Sequence, residues 1–209
     1  AGKFGAFVNY AVGDPLADWW FSFSGDDLTH PMPLCLDSMT HGKPLTAAYC
    51  DGKVCGFTSD GYYFTFEDGH PESMTFSDSA KTTEYARGMS YNHADGKLYA
   101  VLDRSVCTVD TVTGDITALF DLSTDIGCFA IDCFGKAYFI EDYATDAVLY
   151  SLDLESHAET PIGSTGLPIE YKQSMCFDYE TGKLWWAHSC YECYGIYVID
   201  TDSGTAVKR

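Results

Sequence analysis

The chain has 209 residues, 46% of them apolar and 15% aromatic, with nine cysteines and a net charge of −19 from 31 acidic and 12 basic side chains. That apolar fraction supplies a packed core and excludes a disordered composition, and no run approaches the ~18 apolar residues of a membrane helix. The acidic excess repels phosphate backbones and anionic headgroups, which argues against nucleic acid as a partner and against membrane insertion.

In chain order, one phrase returns: "AGKFGAFV" at residue 1, "CDGKVCGF" at 50, "ADGKLYAV" at 94, "CFGKAYFI" at 133 and "ETGKLWWA" at 180. Its lysines, at 3, 53, 97, 136 and 183, stand 50, 44, 39 and 47 residues apart. Periods in the forties are those of four-stranded propeller blades. A second column keeps the same order: "WFSFS" at 20–24, "YFTFE" at 63–67, "VCTVD" at 106–110, "LYSLD" at 149–153 and "IYVID" at 196–200. Short runs before the later Gly-Lys pairs ("TAAYC", "GMSYN", "GCFAID", "SMCFD") and a weaker strand after each second column complete four strands, a to d, per repeat. No segment has helical periodicity. The expected fold is all-β, a propeller of four-stranded antiparallel blades with five repeats at about 1–43, 44–87, 88–126, 127–173 and 174–209, forming one domain over 1–209. Gly-Lys is the a–b hairpin turn, with glycine accepting positive φ and lysine in solvent.

The first repeat begins at its Gly-Lys turn without a strand a, and nothing follows Arg209 to supply one. The expectation is a piece of a larger parent chain, whose propeller has five blades or more. The repeats "MSYNHADGKLYAVL…VCTVDTVTGDITAL" and "MCFDYETGKLWWAH…IYVIDTDSGTAVKR" resemble those of bacterial quinoprotein-like (YVTN-type) β-propellers. That resemblance implies a secreted or cell-surface bacterial protein that acts as a binding module. The adjacent cysteine pair of quinone-dependent dehydrogenases is missing, so quinone binding is not carried over.

Candidate site residues fall in the b–c loops, which share one propeller face with the d–a connections. They are Asn9 and Asp14, Asp60, Asp103, Glu141 with Asp142, and His188, joined by the aromatics Trp19, Trp20, Tyr191 and Tyr194. Converging carboxylates suit calcium or a cationic ligand, although aspartate also favours loops for its backbone hydrogen bonds. In "HSCYECYG", His188, Cys190 and Cys193 have the spacing of a partial zinc site, of a loop disulfide, or of plain thiols. No cofactor is required by any motif, and calcium and zinc are the ions these side chains would take. No Ser-His-Asp order, phosphate-binding loop or H-E-x-x-H occurs. The leading expectation is a non-catalytic module binding a protein or glycan at the b–c face, with Asp60, Asp103, Glu141, Asp142, His188, Tyr191 and Trp19 as contacts. The alternative is a metal-assisted propeller lyase or glycosidase using the acidic loop residues.

Overall fold

A computed structural model describes residues 3–7, 17–37, 40–190 and 193–209. Asn9, Asp14 and Tyr191 lie outside the described residues. The described chain is all-β, organised in five antiparallel meanders. The first holds β1 (Lys3–Phe7), β2 (Trp19–Ser24) and β3 (Asp27–Leu36). The second holds β4 (Pro44–Cys50), β5 (Lys53–Thr58), β6 (Tyr63–Glu67) and β7 (His70–Phe76). The third runs through β8 (Ala86–Asn92), β9 (Lys97–Leu102), β10 (Ser105–Val109) and β11 (Ile116–Asp121). The fourth comprises β12 (Ile126–Ile131), β13 (Ala137–Glu141), β14 (Val148–Leu152) and β15 (Glu159–Ser164). The fifth comprises β16 (Ser174–Asp178), β17 (Lys183–His188), β18 (Gly195–Ile199) and β19 (Ala206–Lys208).

The Gly-Lys pairs set the first turn of each four-stranded sheet. Gly52, Gly96, Gly135 and Gly182 all have positive φ, between 68° and 91°, where a side chain would be strained. Lys53, Lys97, Lys136 and Lys183 are all exposed. The lysine opens its strand opposite the last inner-strand residue, as in Cys50 with Lys53, Asn92 with Lys97 and Asp178 with Lys183.

Inner strands β4, β8, β12 and β16 pack successively, and apolar side chains fill the seams between sheets. Alternation divides each inner strand between its two neighbours. In β12, Phe129 and Ile131 face back to the third sheet with Tyr99 and Val101, while Cys128 and Ala130 face forward to Met175 and Phe177 of the fifth. Cys55 and Cys107 are buried in the seam between the second and third sheets as small hydrophobes. The ring closes through the first sheet. Trp20 sits 4.9 Å from Phe66 of the second sheet, and Phe4 sits 5.1 Å from Trp185 of the fifth. The fold is a five-bladed β-propeller, whose first blade has three strands among the described residues.

Candidate functional site

The meander places a–b and c–d hairpins at one end of the ring and b–c and d–a connections at the other. At the second end, side chains from several blades converge on the channel mouth. Arg87 enters from the start of β8 and Asp142 from the turn after β13, joined Nη1 to Oδ2 at 2.7 Å. Their side chains are only 17% and 2% exposed, so the pair is desolvated and neither charge is expendable. Arg87 Nε is buried without a hydrogen-bond partner among the described residues. The guanidinium also lies 5.2 Å from the Tyr85 ring centroid.

Lys172 reaches the same mouth from the β15–β16 connection, its ammonium donating to the Leu45 carbonyl of β4. Burial, and next the neighbouring Arg87, push its pKa down to about 8. Among the described residues no carboxylate pairs with it. Two tyrosines flank these cations: Tyr143, next to Asp142, and Tyr171, next to Lys172. Their rings meet edge to face at 5.3 Å, and they remain 66% and 65% exposed. Both have positive φ, 56° and 63°, a conformation that bulky side chains avoid. Gln173 braces the segment from below, its backbone N–H donating to Gly127 O and its amide to Ser189 O.

Of the carboxylates expected in this region, Asp142 alone enters the cluster. Asp103 is exposed and ties the β9–β10 turn to the backbone of the connection before β8, accepting from the Tyr85 N–H at 3.2 Å and donating its own N–H to Tyr85 O. Asp60 accepts from the Ser59 hydroxyl, and Glu141 ends β13 half-buried. Trp19 opens β2 half-buried, whereas Trp20 is buried and donates from Nε1 to Asp37 at 2.9 Å.

His188 is 3% exposed at the end of β17, between the rings of Trp186 and Tyr197. Its nitrogens lie 2.8 Å from Cys193 O and 2.7 Å from Pro168 O. The imidazole therefore pins two connections together, with neither nitrogen turned to an incoming ligand or metal. Cys190 and Cys193 are half-buried and not joined to each other. Among the described residues no group of three or more histidine, cysteine and carboxylate side chains is arranged to hold a metal.

Arg87, Lys172, Tyr85, Tyr143 and Tyr171 were missed by sequence reasoning. One signal was available: Lys172 is one of three lysines, with Lys81 and Lys208, that do not follow a glycine. The strained tyrosine backbones left none.

No protein-family model and no curated protein sequence matches this chain. Among solved structures it is similar to a chain of a crystallised nidogen/laminin complex, with a TM-score of 0.64 and 10% identity. The match covers 95% of this chain and 86% of that one. At that identity the likeness concerns the fold, and it agrees with the propeller.

Proposed function

We propose that this propeller is a non-catalytic module of a secreted or cell-surface bacterial protein, of YVTN-like repeat type, which recognises another protein at its channel mouth. The single observation that carries the reading is the pair Tyr143 and Tyr171, exposed and held in strained backbone beside two cations of a chain with net charge −19. Strain that surrounding structure maintains is a pointer to function. Tyrosines at a rim supply area at low entropic cost, and Lys172 supplies a cation for a carboxylate. The fitting ligand is a protein segment that sets an acidic residue beside an apolar one. The similar propeller was likewise crystallised in a protein–protein complex, that of nidogen with laminin. Of the acidic loop residues that a metal-assisted enzyme would use, Asp60 bonds to Ser59, Asp103 to the Tyr85 backbone and Asp142 to Arg87.

The test is selection of displayed peptides on the immobilised protein at pH 7, followed by affinity measurement. Enriched peptides should be acidic and apolar, and Tyr143→Ala with Tyr171→Ala should weaken them at least ~10-fold, the usual scale of losing an aromatic anchor. Lys97→Ala, on the opposite face, should change nothing. Because the Lys172 ammonium loses its proton near pH 8, affinity should fall as pH rises through about 8. Peptides that bind the tyrosine variants as well as the parent would sink the reading.

A further inference from the structure

The second feature lies in the hairpin of β4 and β5 and does not rest on the channel-mouth reading. That hairpin reads "CDGKVC", with Cys50 ending β4 and Cys55 in the middle of β5. Asp51 and Gly52 between the strands both have positive φ, 45° and 91°, the two-residue turn that fits the twist of a tight hairpin. In the register, Cys50 stands opposite Lys53 and Cys55 opposite Ala48. Alternation therefore puts Ala48, Cys50 and Cys55 on one face of the sheet, with the two cysteines as diagonal neighbours.

Both cysteines are buried in the seam with the third sheet, at 7% and 1% exposure. Cys50 Sγ lies 3.6 Å from Ala48 O, so this thiol leans back along β4 toward the row that Cys55 occupies. The two thiols share a hydrogen bond, which holds the Cys55 thiol below its usual range and pushes that of Cys50 up. The Tyr63 hydroxyl, 3.0 Å from Thr111 O, is a further hydrogen-bond partner of Cys55. By contrast, burial pushes the thiols of Cys107, Cys128 and Cys176 up. A sulfur inclined to ionise beside a second thiol is the arrangement of a redox pair, because the thiolate attacks and its neighbour resolves.

We propose that Cys50 and Cys55 are a redox pair, which a peroxide converts into a disulfide across the hairpin. Cys55 attacks first. Its thiolate displaces hydroxide from hydrogen peroxide and becomes a sulfenic acid, and the hydroxide takes up the proton that the thiol released. Cys50 then attacks the Cys55 sulfur, the S–O bond breaks, and the Cys50 proton leaves with the hydroxyl as water. Two thiols and one peroxide give one disulfide and two waters, with two electrons passing to the peroxide. Hydrogen peroxide, little larger than water, suits a buried site that excludes bulkier oxidants. Diagonal neighbours stand at the upper end of the span that a disulfide bridges. Closing the bond therefore draws β4 toward β5 beside the turn and leaves it easily reopened by a thiol reductant.

In the test, the folded protein is treated with hydrogen peroxide, remaining thiols are alkylated in denaturant, and tryptic peptides are read by mass spectrometry. Cleavage after Lys53 separates the two cysteines, so their disulfide shows as a linked pair of peptides that reductant releases. Fragmentation places the bond at Cys50 rather than at Cys35 of the same peptide. The linked pair should form at least about 10-fold faster than any oxidised product at Cys107 or Cys128, whose thiols burial keeps protonated. Cys50→Ser keeps a donor for the Cys55 sulfur but cannot resolve it, so dimedone should trap a sulfenic acid on Cys55. Cys55→Ala should leave Cys50 untrapped. The linked pair in the parent protein needs neither variant to fold. Three outcomes would overturn the proposal: no linked pair by the time exposed Cys133 is oxidised, a bond from either cysteine to Cys35 or Cys107 instead, or trapping on Cys50 rather than Cys55.

Discussion

Asp142 illustrates at the residue scale how a loop aspartate becomes structural. Its side chain is 2% exposed, and both oxygens are used, Oδ2 by Arg87 and Oδ1 by the Tyr143 N–H. Removing one partner of such a pair leaves a buried charge uncompensated, which costs about 3–5 kcal/mol. Asp142→Asn should therefore lower stability by about that amount in urea melts at pH 7. Arg87→Met combined with Asp142→Leu should recover most of the loss, because no lone charge remains. The contrast is Asp18, whose pair with Lys43 has side chains 38% and 43% exposed; Asp18→Asn should cost less than about 1 kcal/mol. An equal loss at the two sites would refute the assignment. The loop position of Asp142 was legible from the repeat. Its partner was not, because Arg87 stands 55 residues earlier and nothing local links the two.

Three of the five c–d hairpins, those of the third, fourth and fifth blades, repeat a single device at the scale of the element. Asp110 Oδ1 accepts from the N–H groups of Val112 and Thr113, Asp153 Oδ1 from Glu155 and Ser156, and Asp200 Oδ1 from Asp202 and Ser203. Each turn then passes through a positive-φ residue, Gly114, His157 or Gly204, whose N–H returns to the aspartate carbonyl. Those backbone N–H bonds hold all three carboxyls below the usual aspartate range. A carboxyl depressed in the folded state stabilises above its unfolded value and loses that contribution as pH falls through and below it, near pH 4. Replacing the three aspartates by asparagine keeps an acceptor oxygen but removes the charge. The variant should melt below the parent at pH 7, decline less steeply below pH 4 and approach the parent there. A parallel decline in both proteins would show that the acid sensitivity resides elsewhere. Two of these turns were readable as "DTVTGD" and "DTDSG", because the physics is local. The third was not, since His157 replaces the glycine and stacks on Phe120 at 3.8 Å instead.

The repeats follow from counting, at the scale of the molecule. Five Gly-Lys phrases and five second-column strands sufficed for the repeats and their order, because each blade is built from neighbouring segments; that five of them close a ring came from the structure. What that count could not give was the quality of each seam. Seams between the second and third, third and fourth, and fourth and fifth sheets are each filled by a large apolar cluster. The seam from the first to the second is smaller, centred on Trp20, Phe64 and Phe66. Between the fifth and first, the described ring contact is Phe4 with Trp185, and the indole N–H of Trp185 is buried without a partner among the described residues. Local opening is governed by such buried apolar contacts, so stability should not be uniform around the circle. Hydrogen exchange followed by mass spectrometry should find β1–β3 the least protected sheet and β12–β13, buried on both faces, the most. Uniform protection around the free ring would mean that the fifth-to-first seam is as firmly closed as the others, and that the three-stranded blade is no weak point.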